Sequence, residues 1–349
     1  MSPKTIAVVG VTGQQGGAVA THFHTLGWKV RGLTRSPSST KAVALAARLP
    51  GIQIVQADAE DTASLKAAFR GAHVVYAMTD YWASYFGHPP ELDAVKDDGR
   101  AVGEWAAAVE IRQGKNLADA AAQVLAEDGV LERYIWSTLP PVSKESGGKY
   151  TYSFYFDAKD VIKQYILAQQ PALAAKASFL VLAIYTNIIA LTAQMLGGVQ
   201  FDPEGRVIQP TLSGVDAQHH FVDITDTGKF VEALVNAPPG KSLLGFDEEM
   251  SFADLASVMS AVTGVPVVAL PVTIEQLEAS GGGLGKMMGN TASFSAEFAY
   301  GAANLLAPKD VDPNIKLVTV KGALKKENWT PFVDLVKKSR EALQAAASK

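Results

Sequence analysis

Strand-length apolar runs alternate with segments of helical periodicity through the first half of the chain, and that alternation limits the fold more than any other feature. Ile6–Val9, Val30–Leu33, Ile52–Val55, Val74–Ala77, Tyr134–Trp136 and Phe179–Ile184 predict strands. Gly17–Leu26, Thr40–Leu49, Asp61–Phe69, Gly103–Ala126 and Phe156–Ala168 predict the helices between them. A strand, a helix and a second strand in succession pair in parallel through a right-handed crossover. The expected class is therefore α/β, a Rossmann doubly wound parallel sheet covered by helices on both faces. After about Asn187 the pattern shifts to mixed short elements, with helices beginning near Asp226 and near Ser251. The expected division is a Rossmann domain over 1–187 and a smaller mixed α/β C-terminal lobe over 188–349 for substrate or partner, some of its segments returning to the Rossmann sheet.

Phe179–Leu196 approaches membrane-spanning length, but Thr186, Asn187, Thr192 and Gln194 interrupt it, so a buried strand followed by a helix is expected there. Gly281–Asn290 (GGGLGKMMGN) carries too much backbone freedom for an ordered element and reads as a mobile loop, either a surface connector or a lid over the pocket. The insertion Ser84–Arg100, with its Gly87-His88-Pro89-Pro90 turn, suits a substrate gate or a docking loop.

With 349 residues, 48% hydrophobic and 19% charged, the chain has enough apolar material for a large core. A net charge of -4 supplies no broad cationic surface, so direct nucleic-acid binding is not expected. The absence of cysteine excludes disulfides, thiolate catalysis, cysteine-ligated zinc and iron–sulfur clusters, and any redox chemistry must come from a bound cofactor. Lys4 runs directly into an apolar strand without the zones of a secretory signal, which leads to the expectation of a cytoplasmic protein without a membrane anchor.

The first predicted strand enters Gly10-Val11-Thr12-Gly13-Gln14-Gln15-Gly16, and a helical pattern follows at once. Glycines in that frame permit a tight turn, close backbone approach to a pyrophosphate and close helix–strand packing, with the first helical N–H groups facing the phosphates. Gly10, Thr12, Gly13, Gln14, Gln15 and Gly16 are accordingly candidate dinucleotide-binding residues. The tip of the second strand, Arg31-Gly32-Leu33-Thr34-Arg35-Ser36, has no acidic residue to receive a free ribose 2'-hydroxyl and offers Arg35, with Thr34 beside it, to a 2'-phosphate. NADP(H) is the expected cofactor, and Lys41 adds charge at the same tip. Asp58 is placed either to reach the adenine edge or to cap the next helix.

The GVTGQQG turn, Thr34-Arg35, Thr79-Asp80-Tyr81-Trp82, Gln113-Gly114-Lys115-Asn116-Leu117-Ala118-Asp119 and Phe156-Asp157-Ala158-Lys159 together resemble the NmrA-like family of atypical short-chain dehydrogenase/reductases. The resemblance runs from about Lys4 to Val235 and is loose beyond. It implies an NADP(H)-binding Rossmann domain whose nicotinamide is flanked by Thr79 and Tyr81 after the fourth strand, and by Tyr185 and Asn187 of Ile184-Tyr185-Thr186-Asn187. The family is functionally split between reductases of quinones, imines or carbonyls and non-catalytic redox sensors that act on protein partners.

Tyr155 and Lys159 stand four apart in a helical segment, the Tyr-x-x-x-Lys arrangement of ordinary short-chain reductases. A phenol beside an ammonium is a proton donor for a developing alkoxide or amine, the lysine also holding the nicotinamide ribose. Ser137 or Thr138, at the end of the fifth strand, is placed to polarise the acceptor. The other reading makes Tyr155 a packing aromatic and leaves Lys159 to cofactor binding alone. His219-His220 lacks companion ligands and is expected to be structural, with no metal, while Asp223 and Asp226 read as helix caps. Tyr81, Trp82 and Tyr85 read as a pocket wall or as packing. The expected function is an NADPH-dependent reductase of a small carbonyl, imine or quinone. The alternative is a non-catalytic NADP(H)-sensing regulator with a protein partner.

Overall fold

The computed structural model describes residues 3–95, 99–195 and 198–347. In chain order the elements are β1 (Thr5–Val9), α1 (Gln14–Thr25), β2 (Lys29–Thr34), α2 (Thr40–Arg48), β3 (Gln53–Gln56), α3 (Thr62–Phe69), β4 (Val74–Ala77), α4 (Tyr81–Phe86) and α5 (Arg100–Asp128). Then come β5 (Arg133–Thr138), α6 (Val142–Glu145), α7 (Phe154–Gln169), α8 (Pro171–Ala174), β6 (Ala177–Leu182), β7 (Ile184–Tyr185), α9 (Ile188–Met195), β8 (Val207–Thr211) and β9 (Gln218–Val222). The chain ends with α10 (Thr227–Asn236), β10 (Ser242–Gly245), β11 (Glu248–Ser251), α11 (Phe252–Thr263), β12 (Val267–Pro271), α12 (Ile274–Glu297), α13 (Pro308–Val311), α14 (Val320–Leu324) and α15 (Thr330–Ala347). Each predicted strand and helix of the first half is present, with shifts of a few residues at its ends. Residues 96–98 of the predicted insertion lie outside the described residues; before them α4 is followed by a 3-10 turn over Pro90–Ala94.

The chain forms two compact units. The first comprises Met1–Leu182, Ile224–Gly245 and Gly301–Lys316; the second comprises Ala183–Asp223, Phe246–Tyr300 and Leu317–Lys349. In the first, seven strands run in the order β10-β6-β5-β4-β1-β2-β3, and every pairing is parallel. Parallel strands are covered on both faces, so the inner ones read as continuous apolar runs. One face packs Ala7, Val75, Tyr134 and Trp136 against Leu117 and Ala121 of α5 and Ile162 and Ile166 of α7. Val19 and Phe23 of α1 are fully buried, as are Phe230, Val231 and Leu234 of α10. Each such side chain contributes about 1.5–3 kcal/mol relative to exposure. His22 of α1 pairs with Glu232 of α10 at 2.6 Å, fastening the returning helix to the first one. Asp226, expected as a cap, makes no capping bond and pairs instead with Lys229 at 2.7 Å.

The second unit holds two small sheets, β11-β9-β7 and β12-β8, around Phe221, Leu255, Met259, Val320, Leu324 and Phe332. Here the expectation of a loop at Gly281–Asn290 is overturned, because that segment lies within α12. A Thr273–Gln276 capping box starts the helix, and Gly282, at φ 56 and ψ -142, breaks it into two arms. A Cβ at Gly285 would lie 1.9 Å from the Leu277 carbonyl oxygen, and one at Gly289 3.3 Å from Ile274. Glycine composition serves close packing of one arm on the other rather than mobility. Of the Phe179–Leu196 stretch, Leu196 lies outside the described residues and the rest forms the end of β6, β7 and α9; no helix among the described residues is long and apolar enough to cross a membrane. Since the backbone at Gly282 is open to glycine almost alone, Gly282→Ala is expected to lower the unfolding free energy by about 1–3 kcal/mol in denaturant melts. An unchanged midpoint would contradict the two-armed helix.

Candidate functional site

In the order of the large sheet, β1 lies between β2 and β4, where the connections reverse, so the ends of β1 and β4 open the crevice in which such sheets take ligands. Gly10 turns the chain at φ 66, the Val11 N–H donates to the Leu33 carbonyl at 3.2 Å and the Gly13 N–H to the Gly10 carbonyl at 2.9 Å. A Cβ at residue 16 would stand 2.3 Å from the Gly10 carbonyl oxygen and 2.9 Å from that of Val9, so only glycine lets α1 start this close to β1. No side chain caps α1 and its first turn holds no acidic residue, so neither a cap nor a negative charge opposes an anion at this helix start. Gly13 and Gln14 are exposed and Thr12 is half-buried at this turn.

At the tip of β2, the Thr34 hydroxyl accepts from the Ser36 N–H at 3.3 Å. Arg35 is exposed and has no hydrogen bond or ion pair among the described residues. The cap of α3 belongs to Asp61, which accepts from Ala63 and Ser64, whereas the Asp58 carboxylate accepts the Glu60 N–H at 3.0 Å and shapes the turn after β3. The capping alternative for Asp58 is thereby removed.

Two predicted residues meet on the strand floor. The Gln15 side-chain carbonyl accepts from the Tyr76 hydroxyl at 2.7 Å and the Ser137 hydroxyl at 2.8 Å, tying the first turn of α1 to β4 and β5. Thr138 is buried and directs its hydroxyl to the Lys159 carbonyl at 3.3 Å. Both hydroxyl protons are committed within the fold.

Helices α5 and α7 cross closely because Gly103 and Gly114 have no side chains. A Cβ at either would fall 2.3 Å from Phe154 or Ile162. Gly103, Glu110 and Gly114 share a face by their spacing of seven and four. Between the two glycine contacts, the Lys159 ammonium donates to Glu110 Oε1 at 2.8 Å, to the Thr79 carbonyl at 3.0 Å and to the Thr79 hydroxyl at 3.0 Å. The Thr79 hydroxyl donates in turn to Glu110 Oε1 at 2.8 Å. Glu110 is 1% exposed, and its Oε2 has no hydrogen-bond partner among the described residues. Sequence reasoning missed Glu110. Its signal was a carboxylate within the apolar stripe Val102, Ala106, Val109, Gly114 and Leu117.

Beside this network the Tyr155 ring lies 4.9 Å from Trp82 and 5.7 Å from Tyr81, centroid to centroid. Tyr81 is buried and donates to the Gly103 carbonyl at 3.2 Å. Burial first, then the neighbouring Tyr85, Glu110 and Tyr155, pushes its phenol far above the usual range, so it stays protonated. Tyr185 lies on β7 and Asn187 immediately before α9, both half-buried in the second unit. His219 bonds Ser213 at 2.9 Å and His220 pairs with Glu249 at 3.1 Å, and no group of three metal-ligating side chains occurs among the described residues.

A model of the NmrA-like family matches residues 2–332. The chain belongs to the NmrA-like family. The NmrA-like family domain-containing oxidoreductase notA of Aspergillus sp. (strain MF297-2) is 32% identical over 149 residues, 42% of this chain and 37% of that protein. The chain thus matches little more than a third of that relative's length. A second such oxidoreductase, hkm9 of Aspergillus hancockii, is 27% identical over 272 residues, 75% of this chain and 73% of that protein. Among solved structures, NmrA, a negative transcriptional regulator in complex with NAD, superposes with a TM-score of 0.67 at 19% identity, covering 97% of this chain and 98% of that one. The NADPH-dependent quinone oxidoreductase QOR2 of Escherichia coli, complexed with NADPH, gives 0.61 at 17%, covering 92% and 99%. At such identities these likenesses show the fold.

In this NmrA-like chain the buried ion pair has a testable energetic signature. Glu110→Ala strands the Lys159 charge and is expected to cost about 3–5 kcal/mol in urea unfolding, whereas the double change Glu110→Met with Lys159→Met recovers most of that loss. A double variant as unstable as the single one would contradict the pairing.

Proposed function

We propose that this NmrA-like protein is an NADPH-dependent reductase of a small carbonyl, imine or quinone substrate. The observation that carries the reading is the Lys159 ammonium held at Thr79, just past β4 and beside the glycine turn after β1, with Tyr155 one turn earlier on α7. The uncapped first turn of α1, closed onto Gly10 by the missing side chain at Gly16, fits a pyrophosphate. Gly10, Thr12, Gly13, Gln14, Gln15 and Gly16 would hold it. Arg35, which has no partner among the described residues, fits the 2'-phosphate of NADP, with Thr34 and Lys41 beside it and Asp58 next to the adenosine. The bound nicotinamide supplies the hydride.

The remaining steps belong to the chain. Lys159 would hold the nicotinamide ribose by exchanging one of its two bonds to Thr79 for one to the sugar, with Tyr81 nearby. Tyr155 delivers the proton to the oxygen or nitrogen of the reduced group, and the half-buried Trp82, backed by the buried Tyr81, offers a flat apolar wall to a planar substrate. Ser137 is close enough to the turn, through Gln15, to exchange that bond for one to the acceptor.

NADPH oxidation against a panel of carbonyls, imines and quinones tests the reading. Tyr155→Phe is expected to lower kcat about a hundredfold or more on a substrate of the wild-type protein, and equal turnover would remove Tyr155 from the proton route. By calorimetry Arg35→Ala is expected to weaken NADPH about tenfold to a hundredfold and to leave NADH nearly unchanged. A wild-type protein that binds NADH as tightly as NADPH would overturn the cofactor assignment.

The likeness to the NmrA regulator favours a second reading, an NADP(H) sensor that acts on a protein partner. It predicts dinucleotide binding without turnover on the panel, and a partner affinity that changes with cofactor.

A further inference from the structure

The proton route above leaves Glu110 without a role. Taking a carboxylate out of water is costly, and an apolar residue of similar volume would join α5 to α7 at least as well, so adhesion does not account for a charge at this position. The carboxylate is also only half used. Oε1 receives Lys159 and Thr79, while the buried Oε2 has no partner among the described residues. A buried unsatisfied oxygen in a native fold calls for an explanation in function.

The geometry at the lysine supplies one. The Lys159 side chain is 12% exposed, and among the described residues its three hydrogen bonds reach only Glu110 on α5 and Thr79 after β4. The Thr79 oxygens are neutral dipoles. Among these contacts Glu110 alone carries the opposite charge, and without it a poorly hydrated ammonium loses its one ionic partner and turns towards solvent. The contact runs through Oε1, which also takes the Thr79 hydroxyl, so lysine, threonine and glutamate form one closed triangle.

We propose that Glu110 is a positioning residue that keeps the Lys159 side chain aimed at the end of β4, acting on cofactor and substrate only through that lysine. The inference rests on the reductase reading for its role in turnover, but the coupling it asserts does not depend on that reading.

The test is a double-mutant cycle of Glu110→Gln, which keeps shape and removes charge, with Lys159→Met. On a turned-over substrate Glu110→Gln is expected to lower kcat about tenfold to a hundredfold, with the substrate KM within about threefold of wild type. The double variant is expected to be no slower than Lys159→Met alone, within a factor of about three. Losses that multiply, or a Glu110→Gln variant with wild-type kcat, would overturn the proposal. Thr79→Val, which removes the bridging hydroxyl and keeps the volume, gives the same cycle a second route if Glu110→Gln fails to fold as judged by circular dichroism. Its loss is likewise expected not to multiply with that of Lys159→Met. If the wild-type chain turns over no substrate, the reductase reading fails by itself. The cycle is then read in NADPH affinity by calorimetry, where the same non-multiplying pattern sustains the role of Glu110 and independent losses refute it.

Discussion

Helix α1 starts almost against the strand that feeds it, and the rest of the first unit is arranged around that closeness. The Gly10 carbonyl occupies the space that a side chain at Gly16 would need. With that space yielded, the helix dipole and its uncapped N–H groups face the crevice between β1 and β4, and Gln15 reaches Tyr76 and Ser137 on the strands beneath. A helix displaced by even a methyl group would lose these bonds together, because they share one short turn.

Close approach is also the theme where α5 crosses α7. Glycines at 103 and 114 bring the two backbones near enough for a glutamate and a lysine to meet in a place that water scarcely reaches. In such surroundings the attraction between opposite charges is strong, but so is the cost of removing each from water. The outcome is an arrangement that holds an ammonium in a single orientation beside Thr79. The rings of Tyr81 and Trp82 pack on that of Tyr155, one turn before Lys159 on α7.

Glycine also accounts for the plainest difference between expectation and structure. In the sequence Gly281–Asn290 signals backbone freedom, since each glycine costs a helix about 1 kcal/mol relative to alanine. In the fold the same residues let one helical arm lie on the other, with Gly285 over the Leu277 carbonyl, and burial of Met287 and Phe294 offsets the propensity. The Gly10–Gly16 turn was legible because its neighbours, an apolar strand before and a helical period after, already state the geometry. The second glycine cluster had no such frame, and its meaning depended on a contact between segments.

Hydrophobic periodicity determined the strands and helices of the first half and their parallel pairing, and with the glycine spacing it placed the tight turn between β1 and α1, because period and chain order are local properties that the backbone obeys wherever it sits. The residue types Arg35, Tyr155 and Lys159 were equally plain. Only the tertiary structure decided what Lys159 touches, that Asp61 rather than Asp58 caps α3, and that Ile224–Gly245 returns to the first unit. The reason is one of range. A helical pattern shows which face Glu110 occupies, but its partner lies 49 residues along the chain, and the angle and distance at which two helices cross are set by every side chain packed between them.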